Sequence, residues 1–284
     1  MPDHPRNLGA SVRQRLLNLA HARGQPMELL LTRYALERAL HRLSLSPHRE
    51  RFALKGAMLL ATWFDEPQRA TRDVDLLGFG DPAHDALLAT FREILAFEVD
   101  DGVSFDLKSL RIEAIREEVE YGGSRLRTTA TLAGARIPIT VDIGFGDAVE
   151  PGVEDIDLPV LLDMPSPHLR AYAPETVIAE KFHAMVALGL ANSRMKDYYD
   201  AWMLLSTFNF EPERLRLAIV ATFARRNTVL PVLVPAGLSD AFATDPGKQR
   251  QWHAFARNLS GPDPGFGLVV SELRSRLASF LALR

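Results

Sequence analysis

The sequence predicts an α+β protein in which a region of mixed helices and strands is followed by a purely helical one. Three observations carry this. Apolar residues recur at helical spacing over 11–22 and 27–43. Runs rich in β-forming residues, 126–132 and 136–143, are separated by Gly134 and alternate in polarity. From Pro174 onward only helical patterns recur.

Composition bounds the class. The 284 residues are 47% hydrophobic and 24% charged, as in a globular protein, and the formal net charge is −3. There is no cysteine, which excludes disulfides, thiolate metal sites and cysteine nucleophiles. The first residues hold no apolar stretch of the kind found in a signal peptide, and no run approaches the roughly 20 apolar residues that span a bilayer. The expectation is a cytoplasmic protein without a membrane partner. Residues 1–51 carry nine Arg against four acids, whereas 145–163 carry six acids and no Lys or Arg. Such asymmetry suits either a basic face for a polyanion or ordinary solvated helix faces.

Taken in order, Ser11 to Gln14 matches a capping box, and Gly24 ends the first helix. A second helix covers 27–43, with Leu29, Leu30, Tyr34, Leu36, Leu40 and Leu43 as its apolar stripe, and stops at Ser46-Pro47. Residues 52–64 read as an apolar helix, and 65–72 as a polar connection into a strand holding Asp73 and Asp75. A helix is expected over 82–97 and strands over 103–112, 126–132 and 136–143. Residues 147–173 are acidic and proline-rich and read as a linker, which divides the chain into domains 1–165 and 166–284. Beyond it, helices are expected from 174, from 194 to about 207, and over 212–226, 248–258 and 266–283.

The chemistry concentrates in the strand after Arg72. Side chains alternate along a strand, so Asp73 and Asp75 point the same way. Two parallel carboxylates repel unless a cation lies between them, and a hard divalent ion such as Mg²⁺ would satisfy both while accepting phosphate oxygens. A solvated Asp-x-Asp on an edge strand is the alternative. Asp142 lies between Val141 and Ile143, where an ionised group needs a partner. Pairing of its strand, expected to be antiparallel, would bring it beside Asp75 as a third carboxylate of a two-metal site. Only five of the 33 basic residues are Lys (55, 108, 181, 196 and 248), which singles out Lys55 and Lys181. Lys196 is one helical step of four from Asp200, a spacing for a surface ion pair.

Six stretches in order resemble the nucleotidyltransferase-like toxins of the AbiEii/AbiGii family: LLLTRYALER at 29–38, FALKGAMLL at 52–60, RATRDVDL at 69–76, ITVDIG at 139–144, ETVIAEKF at 175–182 and RMKDYYD at 194–200. The resemblance implies a polymerase-β-like nucleotidyltransferase core, a mixed sheet with flanking helices, followed by an α-helical C-terminal domain. It implies Mg²⁺ held by Asp73, Asp75 and Asp142. It places Lys55, Gly56 and Ala57 at the nucleotide, with Ala57 offering no hydroxyl where relatives have a Gly-Gly or Gly-Ser turn. Lys181 and Asp197 match family residues assigned to the active site. Arg72 and Arg194 are candidate phosphate forks. The implied activity is transfer of a nucleotide from an NTP to RNA, the tRNA 3′ end above all, blocking translation. The implied partner is a cognate antitoxin, a winged-helix repressor, in a system of phage defence. Nucleotidylation of a protein hydroxyl and a non-catalytic nucleotide- or antitoxin-binding module are the other readings.

Overall fold

The structure is a computed structural model that describes residues 7–64, 71–115, 123–259 and 261–281. Two compact units emerge: residues 1–66, 70–146 and 155–171 form the first, and residues 67–69, 147–154 and 172–284 the second. The first holds α1 (Leu8–Arg23), α2 (Met27–Leu45), β1 (Phe52–Lys55), α3 (Gly56–Leu60), β2 (Val74–Gly78), α4 (His84–Ala96), β3 (Val103–Phe105), β4 (Arg111–Ile115), β5 (Gly123–Leu132) and β6 (Ala135–Phe145). Two more strands follow, β7 (Val153–Asp157) and β8 (His168–Tyr172), before the helices of the second unit.

The strands form one mixed sheet in the order β3-β5-β6-β2-β1-β8-β7, with β4 also paired to β5. A two-residue turn at Ala133 (φ 45°) and Gly134 (φ 79°) joins β5 to β6, the positive φ pair that matches strand twist. It fixes the antiparallel register that sets Arg125 opposite Asp142. β6 then pairs with β2 in parallel, not antiparallel as expected, and Asp75 falls opposite Asp142. β1 is antiparallel to β2, with Lys55 opposite Asp75, and parallel to β8.

Alternation along these strands sorts the two faces. Leu126, Ala130, Ile137, Ile139, Val141, Val74 and Leu76 are buried. Of these, Leu126, Ile139, Val141, Val74 and Leu76 meet Ala39, Leu40 and Leu43 of α2 and Phe91, Ile94 and Leu95 of α4 around a small apolar cavity. Arg125, Asp142 and Asp75 alternate with these buried positions and so project from the opposite face.

Several expectations are corrected. Asn7 caps α1 by accepting a 3.1 Å bond from the Ala10 amide, so the helix starts before Ser11. Residues 52–64 are not one helix: Phe52, Ala53 and Leu54 are wholly buried as a strand between β2 and β8, and only 56–60 are helical. A strand buried on both faces lacks the alternation that would mark it as one. The stretch 103–112 is broken into β3 and β4 by a turn in which Asp106 accepts from the Lys108 and Ser109 amides. Residues 65–70 of the expected connection and 121–122 of an expected turn lie outside the described residues. The expected linker is largely structured. It holds β7 and β8, and α2 grips its middle: Arg33 donates to Pro159 O, the Leu161 amide to Glu37, and Arg38 to Pro165 O.

The basic start of the chain is likewise spent inside the fold. Arg38 and Arg42 are 0% and 3% exposed. Arg42 forks Asp101 at 2.7 and 3.2 Å and donates to the carbonyls of Arg38, Phe97 and Val103. Arg33 pairs with Glu37, a carboxyl that burial pushes above its usual range, and Arg49 with Glu50 and Asp155. Arg13, Arg15 and Arg23 of α1 remain exposed. The local charge excess is therefore not a basic surface of the same size.

In the second unit, α5 (Pro174–Leu188), α6 (Met195–Thr207), α7 (Pro212–Arg225), α8 (Asp240–Thr244), α9 (Pro246–Ala256) and α10 (Phe266–Leu281) pack around aromatic rings. Tyr198 stacks on Phe242, Trp252 stacks on Phe266, and Phe182 meets Phe223 at 5.5 Å. Tyr198 and Tyr199 are core residues, as their helical spacing with Leu204 and Leu205 requires.

Removing Asp101 leaves the Arg42 guanidinium unpaired in the core. Asp101→Ala is expected to cost about 3–5 kcal/mol of unfolding free energy in urea titration. A double variant, Arg42→Met with Asp101→Leu, should recover much of that loss.

Candidate active site

Four charged residues lie side by side across the first unit's sheet. The Cα partners run Arg125, Asp142, Asp75, Lys55 on β5, β6, β2 and β1. Direct cross-strand partners present their side chains to the same face. Asp73, two residues before Asp75 and just outside β2, joins that face; the Thr71 hydroxyl donates to its Oδ1 at 3.0 Å. All three acids are partly exposed.

Lys55 and Gly56 lie at the junction of β1 and α3. Gly56 has φ +71°, a conformation that L side chains rarely adopt. A Cβ there would stand 2.0 Å from Asp75 Oδ2 and 2.7 Å from its Cγ. The glycine in this motif is therefore required by the carboxylate it packs against as well as by its own backbone. Ala57 follows as a half-buried residue and Arg72 is exposed.

Asp142 is already engaged. Arg125 donates through Nε to Oδ1 at 2.7 Å and through Nη2 to Oδ2 at 2.6 Å, a bidentate fork. The bond to Asp142 raises the guanidinium's already high pKa further. The donor set Asp73, Asp75 and Asp142 is all oxygen and chemically suits a hard divalent cation. Among the described residues, however, no group of three or more His, Asp or Glu side chains is arranged to hold a metal ion. Asp73 and Asp75 fit such an ion by placement and chemistry. Asp142 fits it by register and chemistry, with both its oxygens bonded to Arg125.

The second unit carries its own ionic cluster. Lys181 on α5 donates to Asp197 Oδ1 at 3.0 Å and to Asp200 Oδ2 at 2.9 Å, both on α6. The three side chains are only 13%, 10% and 2% exposed. Asp200 is thus a partner of Lys181, not of Lys196, which is exposed. The one-turn spacing of Asp197 and Asp200, which puts both on one face, was the signal for this. Arg194, half exposed, lies 4.0 Å from Asp197.

Arg226 in the same unit donates to Glu180 at 2.9 Å and to Asp147 at 3.5 Å. Its Nη1 lies 3.3 Å from His183 Nδ1, and His183 Nε2 lies 2.9 Å from the Thr228 hydroxyl. Burial, helped by Arg226, pushes the His183 pKa down to about 4. The Tyr172 hydroxyl, pushed far up by burial, donates to Asp147.

Strand-borne carboxylates thus lie in register, with a glycine turn packed against Asp75. Comparison with known families supplies the class. Residues 38–274 match the family described as "Nucleotidyl transferase AbiEii toxin, Type IV TA system". The chain belongs to that family, and membership makes it a nucleotidyltransferase with an antitoxin counterpart. None of the curated proteins matches the sequence. Among solved structures, "Crystal structure of JHP933 from Helicobacter pylori" aligns at TM-score 0.46 and 14% identity over 88% of this chain and 94% of that one. "Crystal structure of putative nucleotidyltransferase from H. pylori" aligns at TM-score 0.45 and 14% identity, covering 88% and 96%. Among the described residues no helix is long and apolar enough to cross a membrane.

Two measurements check this geometry. Gly56→Ala is expected to cost about 2 kcal/mol or more of stability, read by thermal or urea unfolding, because backbone strain adds to the clash with Asp75. His183 has a folded pKa below its ordinary value of 6.5, so its stabilising contribution is complete above pH 6.5 and is lost as pH falls toward 4. Unfolding free energy should drop by about 2 kcal/mol more between pH 8 and pH 5 in the natural protein than in His183→Gln.

Proposed function

We propose that the chain transfers a nucleotide from a nucleoside triphosphate to the 3′ end of a tRNA, arresting translation. The single observation that carries this reading is the register of Asp75 against Asp142, with Asp73 on the same face and Gly56 packed on Asp75. We assign the first unit to the polymerase-β-like core that the family resemblance implies. Asp73, Asp75 and Asp142 are the residues that would hold Mg²⁺, which when bound neutralises phosphate charge and lowers the pKa of an attacking hydroxyl.

The chain's own residues supply the rest. Asp73 and Asp75 fix the position of the triphosphate through their shared face. Lys55, Gly56 and Ala57 bound the nucleotide's approach, with Gly56 leaving room beside Asp75 and Ala57 contributing no hydroxyl. Asp142 would complete the cation site and help activate the attacking 3′-hydroxyl. Arg72 and Arg194, both exposed, are phosphate forks. Lys181 lies between Asp197 and Asp200 and, following the resemblance, neutralises triphosphate oxygens as pyrophosphate leaves. Asp197 holds that ammonium in place. In-line positioning and charge neutralisation account for most of such a rate enhancement. We further propose that the antitoxin is a winged-helix repressor and that exposed α1 arginines, Arg13, Arg15 and Arg23, contribute to RNA phosphate contacts.

The test is a labelling reaction with purified protein, Mg²⁺, total tRNA and each α-³²P NTP in turn. Label is expected in tRNA with one or two NTPs. Asp75→Asn should lower the rate about 10³-fold or more. Label that enters protein and resists RNase, or nucleotide binding without transfer, would replace the tRNA acceptor by a protein hydroxyl or by a binding role.

A further inference from the structure

The fork between Arg125 and Asp142 is unlike the other ion pair on its strand. Arg127, two residues on and facing the same way, pairs with Glu113 at 3.1 Å, and both side chains are largely exposed. Such a pair contributes little. Arg125 has Glu113 as its direct Cα partner on β4, yet its guanidinium turns the other way and takes both oxygens of Asp142. It does so at side-chain exposures of 34% and 17%, inside the carboxylate row. The field of Asp73 also reaches it. Arg125 thus occupies, with a fixed positive charge, the carboxylate that a hard cation in this row would use.

We propose that Arg125 is an exchangeable ligand of the site, released from Asp142 only when a cation and a triphosphate arrive together. This rests on the nucleotidyl-transfer reading and deepens it. The exchange conserves ion pairing. Asp142 gives up a guanidinium for a divalent cation, and the guanidinium gives up a carboxylate for a phosphate of the nucleotide, which also accepts a bidentate fork through two of its oxygens. A cation alone must break the fork without replacing it. A nucleotide alone meets a guanidinium already engaged by Asp142, with Asp73 and Asp75 on the same face. Each ligand therefore strengthens the other's binding through Arg125, a coupling that is reciprocal by linkage. Partial exposure of the pair lets the Arg125 side chain leave without opening the core.

The test uses the full chain and binding alone. Mn²⁺ affinity is measured by calorimetry with and without each of the four α,β-methylene NTP analogues, in the natural protein, Arg125→Gln, Arg125→Lys and Asp142→Asn. Circular dichroism confirms that each variant is folded. Arg125→Gln is expected to bind Mn²⁺ alone about 10-fold more tightly and to lose about 10-fold of the Mn²⁺–nucleotide coupling. Arg125→Lys, which keeps the charge but not the fork, should fall between the two. In an Asp142→Asn background, Arg125→Gln should change Mn²⁺ affinity less than about 3-fold, because the fork is already gone. Unchanged or weaker Mn²⁺ binding in Arg125→Gln overturns the inference, as does an equal change in both backgrounds, which would reduce Arg125 to a distant charge. If the natural protein binds Mn²⁺ and analogue without dependence on Arg125, only this inference falls. If it binds none of the analogues with Mn²⁺, the nucleotidyl-transfer reading falls with it.

Discussion

The first unit depends on how it resolves a repulsion built into its sheet. Asp75 and Asp142 are direct neighbours on parallel strands. Two carboxylates about 5 Å apart repel by about 3 kcal/mol at an effective dielectric constant of 20. The fold answers by setting Lys55 and Arg125 at the outer positions of the same row. The row reads positive, negative, negative, positive and is neutral as a whole. Asp73 is the charge left over. A sheet can hold this arrangement because its opposite face is mostly apolar and packs against α2 and α4. Rigidity of the core face fixes the spacing of the charges on the other.

That core face has its own polar anchor. Arg42 and Asp101 are both nearly inaccessible, and every guanidinium nitrogen of Arg42 donates to an oxygen. Full satisfaction is what makes such burial tolerable. Arg38 is less well served. It donates to Pro165 O and lies over Tyr34, and its Nε and Nη2 find no partner among the described residues. The benefit is reach. From one helix, Arg33, Glu37 and Arg38 tie down the extended stretch from Pro159 to Pro165, which then delivers β8 beside β1. Charge counted along the sequence therefore misjudged this region, because ion pairing and burial consume most of the excess before it reaches the surface.

The carboxylates were legible in the sequence because strand periodicity is local. Asp73 and Asp75 share a face by parity alone, and Asp142 stands out as a charge between β-branched residues. Arg125 was also within reach. A two-residue turn at 133–134 fixes the sum of partner numbers, and that sum sets 125 against 142. β1 was not legible, since Phe52, Ala53 and Leu54 are buried without alternation and share their composition with a buried helix. The strands within 147–173 were hidden by the prolines and acids around them, and the stretch between them is held through its backbone by α2, more than a hundred residues earlier. No local pattern encodes such a contact.

The two ionic clusters differ in a way that bears on their roles. Asp142 and Arg125 are held by a single fork with solvent at hand. Lys181 is held by two carboxylates, one of them 2% exposed, and the cluster is anchored in the aromatic packing around Tyr198 and Tyr199. A fork between two partly exposed groups, 34% and 17%, breaks at lower cost than a buried one, because water can reach the separated partners. Pulling one member from a buried triad leaves an uncompensated charge and costs several kcal/mol. Exchange of partners is therefore suited to Arg125, and permanence to Lys181. The position of the Lys181 amine is set by Asp197 and Asp200, both on α6. Groups held in place in this way act without rearrangement, whereas the exchange proposed for Arg125 would reset the sheet's charge row each time a ligand enters or leaves.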